Sequence, residues 1–156
     1  MRNKIIILLI AILIVVLIIV IINYSSNNKS EINRNSKIDD IVFEENKVNI
    51  YLFWGDGCPH CKEELEFLES IYDEYKKYCN IYAFEVWYNQ DNADFLIELA
   101  DELDEEVSGV PYTIIGDKTF SGFGISMKKD LKSANINQYN KNFDVYKRLK
   151  NKEEIS

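Results

Sequence analysis

Aliphatic residues fill every position from Ile5 to Ile22, a pattern nothing later in the chain repeats. At about 1.5 Å per residue, a helix over this run is roughly 27 Å long, close to the hydrocarbon thickness of a bilayer. Arg2 and Lys4 stand directly before it, as in export signals. A cleaved signal has a shorter apolar region, about 7–15 residues, followed by small residues at the cut. Here only Ser25 and Ser26 offer such a site. The pattern therefore predicts a retained signal-anchor over residues 1–22, spanning the bilayer through residues 5–22, with the rest of the chain extracytoplasmic. Residues 23–38 are rich in Asn and Ser and poor in apolar side chains, which predicts a flexible stalk.

From residue 39 to 156 the patterning is that of one folded domain. The continuous apolar run Val48–Trp54 reads as a strand buried on both faces. From Pro59 to about Tyr78, Leu65, Leu68, Ile71, Tyr72 and Tyr75 recur at helical spacing. Ile81–Tyr88 reads as a second strand. A second helix begins with a cap at Asp91 or Asn92 and aligns Phe95, Leu96, Leu99, Ala100 and Leu103 on one face. Pro111–Gly116, the turn Gly116–Lys118 and Thr119–Phe123 read as a hairpin. Ile136, Tyr139, Phe143 and Tyr146 predict one C-terminal helix. Strands separated by helices pair in parallel, and the hairpin pairs antiparallel. The fold class is α/β, a four-stranded mixed sheet flanked by helices.

Charge narrows the partners. The chain carries a net −8, and only one of its 26 acidic residues, Glu31, precedes residue 39. So acidic a domain has no basic face for nucleic acid, and it is not built to adhere to an anionic membrane surface.

The chemistry concentrates in the stretch Gly55–Cys61, reading GDGCPHC. Cys58 falls where a turn gives way to a helix, and Pro59 suits the first helical position. Backbone N–H groups and the helix dipole there favour a thiolate at Cys58. His60 adds a cation or donor beside it, coupled to its ionisation. Cys61, one turn on, is placed to resolve a mixed disulfide formed at Cys58. A metal half-site is the competing reading, but a tetrahedral site needs two further ligands, and only His60, Cys79 and carboxylates are on offer. A purely structural bridge closing so short a loop would constrain little. Cys79 reads as a small buried hydrophobe or, as the odd cysteine of an exported chain, an intermolecular bridge.

The segment NIYLFWGDGCPHC resembles the active site of the thioredoxin superfamily, and SGVPYTIIGDKTFSGFG resembles its second signature. The resemblance covers about residues 40–150. It implies a thioredoxin-like fold and thiol–disulfide exchange through Cys58 and Cys61, with no cofactor beyond their redox-active disulfide. It also implies a cis peptide at Val110–Pro111 that presents backbone to extended substrates. The partners implied are cysteine-bearing extracytoplasmic proteins and a membrane or soluble redox partner. Cys-Pro-His-Cys is the motif of DsbA-type disulfide donors, so Pro59 and His60 tilt the expected direction toward oxidation. Tethered extracytoplasmic reductases, including those acting on apocytochrome thiols, share the minimal anchored layout. The chain departs from the pattern at three places. It lacks the helical insertion of DsbA-type proteins between Cys61 and Pro111. Leu52 stands where many members bury an Asp or Glu that moves a proton from the resolving thiol. Gly57 replaces the usual aromatic residue before the nucleophile.

Overall fold

The computed structural model describes residues 2–27, 32–139 and 141–155. They form two units, one ending at Ser30 and the other running from Glu31. The first is a single helix, α1 (Arg2–Asn27). Side chains in α1 are described for residues 4, 6, 7 and 10–21. Among the described residues no helix is long and apolar enough to cross a membrane. The span over residues 5–22 rests on the sequence pattern.

The second unit contains a 3-10 turn (Ile38–Asp40), β1 (Val48–Trp54), α2 (Pro59–Tyr75), β2 (Cys79–Glu85), α3 (Gln90–Asp101), β3 (Tyr112–Ile115), β4 (Lys118–Ser121), α4 (Met127–Tyr139) and α5 (Val145–Glu153). The sheet order is β2-β1-β3-β4. β1 pairs parallel with β2, Val48 opposite Cys79, and antiparallel with β3, Leu52 opposite Thr113. β3 and β4 form the antiparallel hairpin.

The unbroken apolar run of β1 follows from its central place. Val48, Ile50 and Leu52 pack with Leu65 and Leu68 of α2 and Leu131 of α4. Tyr51 and Phe53 point the other way, toward Phe95 and Leu99 of α3 and Val145 of α5. On that second face Phe95 meets Phe84 edge-on at 5.4 Å and Tyr146 at 5.0 Å between ring centroids. Such pairs add about 0.5–1.5 kcal/mol each beyond their area burial.

Four expectations change. The expected stalk over residues 23–38 is helical to Asn27, and its residues 28–31 lie outside the described residues. From Ile32 the chain is docked: Ile32 and Ser36 are buried, and Ser36 N–H donates to the Ala83 carbonyl at 2.9 Å. Arg34 forms a two-point pair with Glu69, and the Trp54 indole N–H donates to the Arg34 carbonyl. The cap of α3 is Asn89, whose side chain accepts from Asn92 N–H, in place of Asp91 or Asn92. The second strand stops at Glu85, because the Glu85 carboxylate collects the N–H groups of Trp87 and Tyr88 and turns the chain. The single C-terminal helix is two. Asn142 takes a left-handed conformation (φ 51°), and Asp144 caps α5 by accepting from Lys147 N–H.

Candidate active site

Gly57 has φ +87°, a conformation side chains resist, and it swings the chain from β1 into α2. Cys58 is the N-cap of α2 and Pro59 follows at the first helical position. Cys58 N–H donates to the Gly55 carbonyl at 3.1 Å. The Cys58 sulfur accepts Cys61 N–H at 3.2 Å, so one of the unpaired donors of the helix start points at it. Cys58 and Cys61 form a disulfide with Cα atoms 5.2 Å apart. Cys58 is 9% exposed and Cys61 fully buried.

The other edge of the site comes from the chain before β3. The Val110–Pro111 peptide is cis, and the Val110 carbonyl oxygen lies 3.8 Å from the Cys58 sulfur. Gly122 N–H donates to the Pro111 carbonyl at 2.8 Å, so the end of β4 holds this segment down. A four-stranded sheet of order β2-β1-β3-β4, a dithiol at the β1–α2 junction and a proline opposite it define one architecture. The fold is thioredoxin-like. In this thioredoxin-like domain the structure brings Cys58, Cys61, Val110 and Pro111 together.

His60 stands apart. Its side chain is 68% exposed, and its Nδ1 lies 3.6 Å from the carboxylate of Glu63. It lines a surface groove with Phe67, Phe123 and Lys128. Cys79 is a buried free thiol, near the Tyr75 carbonyl oxygen at 3.5 Å, and burial raises its pKa. Among the described residues no group of three or more His, Cys, Asp or Glu is placed to hold a metal ion.

The residue that the sequence reading missed is Glu64. It is buried in α2, three positions after Cys61 and so on the same face of the helix. Thr113 hydroxyl donates to its Oε1 at 2.6 Å, and its Oε2 has no hydrogen-bond partner among the described residues. Desolvation pushes its pKa up to about 7, against the lowering effect of the Thr113 bond. Thr113 is the cross-strand partner of Leu52. The buried carboxyl that position 52 lacks thus reaches the same part of the core from α2. The signal was present in the spacing: Glu64 interrupts the apolar face that carries Cys61, Leu65 and Leu68.

No protein-family model matches the chain, and no curated protein matches it. Solved structures do. The thioredoxin-like domain is similar to an uncharacterized thioredoxin-like protein from Clostridium perfringens, at 25% identity over 67% of this chain and 82% of that one, TM-score 0.45. It is also similar to a candidate thiol:disulfide interchange protein DsbE from Chlorobium tepidum, at 14% identity over 71% and 94%, TM-score 0.48. A glutaredoxin from Archaeoglobus fulgidus is similar at 22% identity over 57% and 85%, TM-score 0.35.

Proposed function

We propose that this chain is a thiol–disulfide oxidoreductase, tethered to the membrane by residues 5–22, that oxidises cysteines of extracytoplasmic proteins. The observation that carries the reading is the placement of the pair: Cys58, 9% exposed, caps a helix N-terminus, and Cys61 is fully buried with the Glu64 carboxyl on the same helix face.

A substrate thiolate attacks the Cys58 sulfur, and the Cys58–Cys61 bond breaks. Cys61 leaves as a thiolate and takes the proton of neutral Glu64. A second substrate thiol, deprotonated, attacks the substrate sulfur of the mixed disulfide. The substrate disulfide departs, and Cys58 is left as a thiolate. Two electrons have moved from substrate to the pair, and a redox partner removes them. The helix N-terminus and Cys61 N–H stabilise the Cys58 thiolate, hence the reduced form, which makes the disulfide more oxidising. Pro59 and His60 support the same direction through the resemblance to DsbA-type motifs.

Trapping tests the exchange: Cys61→Ser should accumulate mixed disulfides through Cys58 in cells, and their absence would contradict the reading. The reduction potential tests the direction. A value near about −120 mV is that of an oxidant, and one near about −270 mV makes the protein a reductant and leaves exchange intact.

A further inference from the structure

The loop between β2 and α3 carries Trp87 and Tyr88, which are 54% and 82% exposed and which the exchange steps do not use. Exposed apolar side chains are common on protein surfaces, so exposure alone assigns nothing. The way this pair is held does. The Glu85 carboxylate accepts three backbone N–H groups, those of Asp56 at 3.3 Å, Trp87 at 2.9 Å and Tyr88 at 2.9 Å. Val86 N–H donates to the Trp54 carbonyl at 2.9 Å. Both ties join the loop to the turn that leads into Cys58.

The Trp87 indole lies on that turn. A Cβ built on Gly55 would stand 2.2 Å from Trp87 Cδ2 and 2.3 Å from Cε2, the two atoms shared by its rings. The ring therefore meets the backbone with its face, and only glycine at position 55 permits it. The same Gly55 supplies the carbonyl that holds Cys58 N–H. One part of the indole is fixed against the turn that positions the cysteine, and the remainder is open beside it. Gly57, immediately before Cys58, has no side chain to meet a substrate.

The sheet order fixes where an incoming chain must run. β2 and β3 flank β1 on opposite sides. The C-terminal end of β2 and the start of β3 lie at the same end of the sheet, because β1 pairs parallel with one and antiparallel with the other. Val110–Pro111 and Trp87 therefore border the β1–α2 turn from its two sides. Two strand spacings are about 10 Å, or roughly three residues of extended chain.

We propose that Trp87, with Tyr88, is the docking surface for the polypeptide whose cysteine reacts at Cys58, and that it selects an apolar or aromatic side chain within about three residues of that cysteine. A large aromatic group locked in place before binding contributes contact area at little entropic cost. The proposal rests on the exchange reading above.

The test uses the full chain and two dithiol peptides that differ only in carrying Leu or Ser near the reacting cysteine. Dithiothreitol serves as the small-thiol control. Wild-type exchange, expressed relative to the dithiothreitol rate, should favour the Leu peptide by about tenfold. Trp87→Ala should abolish that preference, and Trp87→Phe should keep most of it. Equal rates for the two peptides in the wild-type chain, which needs no variant to fold, would overturn the proposal, as would an undiminished preference in Trp87→Ala. No exchange with dithiothreitol at all would instead sink the exchange reading itself, and the docking role with it.

Discussion

Glu64→Gln separates the proton from the shape of the buried carboxyl. Its pKa is pushed from 4.5 up to about 7 by burial. A shift of that size corresponds to about 3 kcal/mol at about 1.36 kcal/mol per unit. The folded state holds the proton more tightly than the unfolded chain does. The stabilisation that this proton brings is therefore complete below about pH 4.5 and is lost as pH rises through about 7. Glutamine keeps an oxygen for the Thr113 hydroxyl and does not titrate. Its extra N–H group adds a cost of about 1 kcal/mol that is independent of pH. The stability difference, variant minus wild type, should therefore rise by about 3 kcal/mol between about pH 4.5 and about pH 8.5. Urea unfolding of oxidised residues 31–156 at a series of pH values measures it. Other titrating groups, including Asp144 with its pKa raised by burial, contribute to both curves and cancel. A difference that stays flat with pH would refute the desolvated carboxyl. The same variant tests the chemistry: exchange by wild type should show an inflection near about pH 7 that Glu64→Gln removes, and an inflection that persists would place the proton elsewhere.

Three further outcomes follow from the packing. Tyr51 hydroxyl donates to Asp144 Oδ2 at 2.8 Å and accepts from Asn49 at 3.2 Å, so Tyr51→Phe should cost about 1–3 kcal/mol by urea unfolding, and a neutral result would deny the network. Ser36→Ala removes the hydroxyl that accepts Ala83 N–H at 3.1 Å; it should cost about 1 kcal/mol and speed exchange of that one amide hydrogen, and unchanged exchange would show the contact to be idle. Gly55→Ala places a methyl group inside the Trp87 ring, so near-UV circular dichroism should weaken while far-UV signal holds, and an unchanged near-UV spectrum contradicts the stacked indole.

The sheet and the cysteine pair were legible because each carries a periodic or positional signal. β1 reads as a doubly buried strand since both its faces are covered, and its partners follow from the alternation of strands and helices. Cys58 and Cys61 announce themselves by spacing and by Pro59. Glu64 did not, since a single carboxylate among Lys62, Glu63 and Glu66 looks like one more surface charge. Only the helix phase, which aligns it with Cys61 and Leu68, distinguishes it. The break between α4 and α5 hides in an Asn-rich stretch whose apolar spacing stays helical across the turn. Residues 32–38 are too polar to signal packing. They dock through backbone groups, Ser36, the single buried Ile32 and the Arg34–Glu69 pair, which composition does not register. Trp87 falls inside the strand expected over Ile81–Tyr88, which ends three residues earlier where the Glu85 carboxylate turns the chain.

The docked N-terminal segment has a consequence for solubility. β2 is an edge strand, and an open edge invites a strand from another molecule to add on, the route to aggregation. Ser36 occupies both the N–H and the carbonyl of Ala83, midway along that edge. The opposite edge, β4, is only Lys118–Ser121, short and opened by an exposed lysine. The domain thus guards one border of its sheet with its own leading residues and the other with brevity and charge.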